Sequence, residues 1–115
     1  MLQIRFTKLC LMLYWPRPMI KHIVMWKLKE DVAKESLLKF KALLEAMQDK
    51  VEGLQTLEVG VNVVPLDAAC DLVLYSEFDS MEALDRYQNH RDHLKIKPAA
   101  KACVLYRSQV DYVVD

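Results

Sequence analysis

Between residues 20 and 29 apolar and polar positions alternate with a period of two. Ile20, His22, Val24, Trp26 and Leu28 share one face, and Lys21, Ile23, Met25, Lys27 and Lys29 share the other. Both faces carry apolar residues, which predicts a strand covered by helices on one side and by a partner on the other. The period then changes to that of a helix. Ala33, Leu37, Phe40, Leu44, Met47 and Val51 recur at steps of three and four as one apolar stripe, with Lys34, Lys39, Lys41, Glu45, Asp49 and Lys50 on the outer side. Asp31 is the predicted N-cap, Glu35 places acid in the opening turns, and Gly53 is placed to end the helix.

Residues 54–64 are rich in β-branched side chains and predict a second strand, with Leu57, Val59, Val61 and Val63 on one face. After a loop over 65–69, residues 71–78 alternate as a third strand, and the short connection predicts an antiparallel hairpin. Ser80 caps a second predicted helix over 81–88 with Leu84 and Tyr87 facing inward. The run Asn89-His90-Arg91-Asp92-His93 interrupts it, helical character resumes through Leu94, and Pro98 opens a short turn carrying Ala99, Ala100 and Cys103. Residues 105–114 form the last predicted strand. The order β-α-β-β-α-β predicts an α+β fold of the ferredoxin-like kind, with one four-stranded antiparallel sheet.

Composition narrows the function classes. A chain of 115 residues, 53% hydrophobic, with two glycines and four prolines, has material for one packed domain and no low-complexity segment. Sixteen basic residues balance sixteen acidic ones, so no broad positive field is present to attract nucleic acid. Cys10, Cys70 and Cys103 are widely spaced with no CxxC pair, which favours free thiols in a reducing, cytoplasmic setting over a zinc knuckle. Residues 1–18 read as an extension ahead of a domain at 19–115. Their apolar run from Leu9 to Trp15 is too short to span a membrane, lacks a small-residue cleavage site, and is closed by Pro16 and Pro18. An accessory arm, an upstream start ahead of Met19, or a weak signal-like segment are the readings it allows.

The candidate chemistry lies in three histidines. The stretch from Ile20 to Lys29, taken with Tyr87-Gln88-Asn89-His90-Arg91-Asp92-His93, resembles the stress-responsive A/B barrel family. Its members begin with a strand bearing a histidine and carry a His-x-x-His segment after the second helix, often with proline where Arg91 stands here. The resemblance implies a dimeric α+β barrel in which two sheets meet through their open faces, leaving a cavity between sheet and helices in each protomer. In a plant polyketide cyclase of this family the cavity uses a first-strand histidine, a tyrosine and the second histidine of the His-x-x-His segment. Carried over position by position, these are His22, Tyr87 and His93, with Trp26 and His90 as further ligand-binding candidates.

Histidine exchanges protons near neutral pH, so such a trio could remove an acidic carbon-bound proton and stabilise the enolate with no metal or organic cofactor. The bland readings stand beside this one. His22 could be a core histidine bonded to backbone, His90 and His93 could cap a broken helix end, and Tyr87 and Trp26 could simply pack. His90 and His93, three apart, could also share a metal ion with Asp92 or His22, but two histidines are a weak signal and no metal is expected. The expected partners are a second copy of the chain, through an open face carrying Ile23, Met25, Val73 and Tyr75, and a small, partly apolar molecule; neither nucleic acid nor membrane is expected. Three function classes remain open: a ligand-binding domain, a cofactor-independent acid–base enzyme of polyketide-cyclase or lyase type, and an interaction module with a filled core.

Overall fold

The computed structural model describes residues 18–115, so the readings made for the N-terminal extension and for Cys10 lie outside the described residues. Strand β1 (Met19–Leu28) is followed by helix α1 (Lys34–Glu45), strands β2 (Leu54–Val61) and β3 (Leu72–Phe78), helices α2 (Met81–Asn89), α3 (Arg91–Leu94) and α4 (Ile96–Cys103), and strand β4 (Val104–Val114). The sheet order is β2-β3-β1-β4 with every neighbour antiparallel, so β1 lies between β3 and β4. The βαββαβ order and the four-stranded sheet expected from the pattern are both present.

Burial follows the alternation. Ile20, His22, Val24, Trp26 and Leu28 on β1 are buried, and so are Leu72, Leu74, Ser76 and Phe78 on β3, while the residues between them are half-buried or exposed. The helices therefore cover one face of the sheet. Phe40 and Leu44 of α1, Tyr87 of α2 and Ile96 of α4 close the core from above. Fully burying a large apolar side chain stabilises by about 1.5–3 kcal/mol, and this shared core holds the helices over β1.

Local details depart from the pattern for physical reasons. Asp31 is not the N-cap of α1: the Val32 amide donates to the Lys29 carbonyl at 3.3 Å, which places Asp31 inside a turn, and Ala33 takes the cap position with no side-chain bond. The helix stops at Glu45, well before Gly53, although Met47 and Val51 in the following turns stay buried. Gly53 serves instead the turn into β2, where φ is +92°. Strand β2 ends at Val61, opposite Leu72 where β3 starts, so Val63 has no strand partner and is 88% exposed. Pro98 lies inside α4 rather than opening a separate turn; it falls in the first helical turn, where a missing N–H costs no helical bond.

Candidate functional site

His22 faces the helices from β1, in register with Ser76 on one side and Asp111 on the other. Its ring Nδ1 is bonded to the Asp111 carboxylate, and the Ser76 hydroxyl donates to the His22 backbone carbonyl at 2.8 Å. The ring partner is therefore a carboxylate on β4, not backbone, and Nε2 is left free of it. The second Asp111 oxygen accepts from Gln109 Nε2 at 2.8 Å, and Gln109 Oε1 accepts from Arg107 at 2.6 Å. Arg107, Gln109 and Asp111 thus form a polar ladder along one face of β4. Reading that strand's own alternation would have exposed them, since polar side chains at every second position mark a common face.

The His-x-x-His segment splits its two histidines. Ser80 caps α2 by accepting from the Ala83 amide at 3.1 Å, and α2 ends at His90, whose extended backbone (φ −63°, ψ 137°) breaks the helix. His90 Nδ1 then accepts the Asp92 amide at 3.0 Å, starting α3. So His90 caps the next helix's N-terminus, rather than meeting the carbonyls at the end of α2. Arg91, where the family often has proline, is the first residue of α3. The break brings His93 back onto Tyr87, with ring centroids 4.6 Å apart, and Tyr87 also meets His22, at 6.0 Å. Phe78 packs against Tyr87 at 5.3 Å.

Beside this aromatic row lies a cavity of about 320 Å³ between sheet and helices. Its wall includes His22, His93, Trp26, Phe40, Leu44 and Ile96, with Gln88, Ala100 and the exposed Lys97, Arg107 and Gln109. Trp26 both lines this space and packs edge-on against Phe40 at 5.2 Å. Tyr87 and His90 are not on the wall. Tyr87 is wholly buried behind it, and its hydroxyl has no hydrogen-bond partner among the described residues; His93 Nδ1 is likewise buried and unpaired.

Burial raises the Tyr87 phenol well above its ordinary value, against a smaller opposing pull from Arg107. Burial also lowers His93 below the ordinary histidine value, helped by His22, Lys97 and Arg107 and opposed by the Gln88 backbone. His93 is therefore held as neutral imidazole around neutral pH. Among the described residues no three His, Cys, Asp or Glu side chains converge as metal ligands.

The sheet topology and the helix-covered cavity define a ferredoxin-like α+β protein. Residues 20–114 match the family described as Stress responsive A/B Barrel Domain, and the chain belongs to that family. Among solved structures it is similar to a dimeric protein of unknown function with a ferredoxin-like fold from Bacteroides fragilis, at 34% identity and a TM-score of 0.73, covering 84% of this chain and 96% of that one. A Dabb-family protein from Mesorhizobium loti aligns with a TM-score of 0.71 at 22% identity, covering 85% of this chain and 98% of that one. The hydroxynitrile lyase from Passiflora edulis shares the fold, with a TM-score of 0.76 at 13% identity over 87% of this chain and 96% of its own. No curated protein matches the chain. No helix among the described residues is long and apolar enough to cross a membrane.

Proposed function

We propose that this A/B barrel protein binds a small, partly apolar molecule in the sheet–helix cavity. The observation that carries this reading is the open space of about 320 Å³ walled by His22, His93, Trp26 and Phe40, where an interaction module with a filled core would have none. Ala100 also lines the cavity, so Ala100→Trp fills it from α4. A screen of small aromatic carbonyl compounds by heat capture should find ligands for the natural chain and none for the Trp variant. Ligands that bind both equally would place binding elsewhere and refute the cavity.

A second reading, acid–base chemistry, is favoured by the two imidazoles that meet this space. His93, held neutral, is the base for an acidic carbon-bound proton. His22, oriented by Asp111, is the donor to the enolate oxygen, and Tyr87, buried behind the wall, becomes a second donor where the wall opens to its hydroxyl. No cofactor enters this scheme. Exchange of the α-protons of a 1,3-dicarbonyl compound in deuterated water tests it: His93→Gln should abolish catalysed exchange, and an unchanged rate would remove His93 from the role.

The working unit we propose is a homodimer through the open sheet face. Met25, Tyr106, Val110 and Tyr112 stand 41–50% exposed on that face, an apolar set that a second copy would cover. The dimeric description of the Bacteroides fragilis protein supports this arrangement. The free thiols of Cys70 and Cys103 accord with a reducing, cytoplasmic setting. Light scattering at micromolar concentration should return twice the chain mass, and a single-chain mass would refute the dimer.

A further inference from the structure

The cavity wall is unequal in charge. Lys97 on α4 and Arg107 on β4 line it, and no acidic side chain does. Neither cation forms an ion pair among the described residues. The Arg107 guanidinium is anchored at one nitrogen by Gln109 Oε1 at 2.6 Å, which limits its rotation and leaves its other donors uncommitted. Asp111, two positions beyond Gln109 on the same face, makes no ion pair with it, its oxygens bonding His22 and Gln109 instead. The two cations act inside the site as well: both oppose protonation of His93. Across from them, Trp26, Phe40, Leu44 and Ile96 form the apolar part of the wall.

We propose that the ligand is an amphipathic organic anion, an apolar body bearing a carboxylate, with the carboxylate held by Arg107 and Lys97 and the body packed against Trp26, Phe40 and Leu44. The proposal rests on the cavity being the binding site and adds the class of molecule it selects. A guanidinium fork held at one corner presents parallel N–H donors that match a carboxylate, and Lys97 adds a second charge. The apolar body alone gives shape-tolerant affinity, so the head group sets the selection.

Calorimetric titration with 4-phenylbutanoate and with 4-phenylbutanamide, which share one apolar body, tests the assignment. The natural chain should bind the carboxylate on the order of tenfold more tightly than the amide. The double variant Arg107→Gln with Lys97→Gln should lose that preference, the carboxylate weakening to the level of the amide. Both substitutions are at exposed positions, so the fold is retained and circular dichroism verifies it. Equal affinity of the two probes for the natural chain, abolished by Ala100→Trp, would overturn the anion assignment and leave the cavity standing. Failure of both probes to bind at millimolar concentration would overturn the two together. A carboxylate preference that survives the double variant would also overturn the assignment, because the selecting charge would lie elsewhere.

Discussion

Replacing Tyr87 with phenylalanine removes one oxygen from a fully buried side chain and leaves the ring in place against Phe78, His22 and His93. That oxygen has no partner among the described residues, and burial holds it as the neutral phenol. A buried hydroxyl without a hydrogen bond costs about 1–3 kcal/mol relative to its hydrated state. The void left by one oxygen returns only part of that, so Tyr87→Phe should be more stable by about 1 kcal/mol. For a domain of this size the gain is a rise in Tm of about 4–8 °C. Urea unfolding followed by circular dichroism, with an unchanged m-value, reads the difference directly. The α-proton exchange assay reads the other half, because a hydroxyl that the wall opens to a ligand would trade stability for function. Higher stability with slower exchange is the predicted pair. A loss of 1 kcal/mol or more would mean that the hydroxyl is satisfied in the folded state, and higher stability with unchanged exchange would reduce Tyr87 to packing; either refutes the donor role.

Three further outcomes are expected. Gly53→Ala would place a Cβ 2.5 Å from the Ala83 Cβ and 2.6 Å from Asp79 Oδ1 at a φ of +92°, so thermal unfolding should show a loss of at least about 2 kcal/mol. Because His93 is lowered in the folded chain, the unfolded chain binds more protons below the ordinary histidine value of 6.5, and stability should fall as pH drops through that value and on through the lower folded one. His93→Gln should flatten that slope in urea titrations at a series of pH values, and an unchanged slope would assign it to another group. Val110→Glu puts a charge on the open face of β4, where Val110 pairs with Ile23, and should halve the mass seen by light scattering without changing the far-ultraviolet spectrum.

The alternation of β1 carried most of what was legible. Its even positions, from Ile20 to Leu28, are the buried ones, and that single face located both His22 and Trp26. The role of His22 was less legible, since its partner Asp111 is 89 residues away and meets it only through the β1–β4 register. Strand periodicity names faces, not neighbours. His90 and His93 look equivalent in the sequence, yet the extended backbone at His90 sends one to cap α3 and the other against Tyr87. Asp31 is a good capping residue that the turn after β1 withdraws from the cap position. The polar ladder on β4 was readable from its spacing, but strands of this kind are easily taken whole as one apolar edge because Val110, Tyr112, Val113 and Val114 crowd the same stretch.

The most direct test of the cavity as the functional site is the imidazole ¹H–¹⁵N spectrum of the three histidines, recorded while 4-phenylbutanoate is added. His22 and His93 should shift together with one dissociation constant while His90, outside the cavity wall, stays in place. Saturable binding that moves His90 or open-face residues and leaves His22 and His93 unmoved would contradict it.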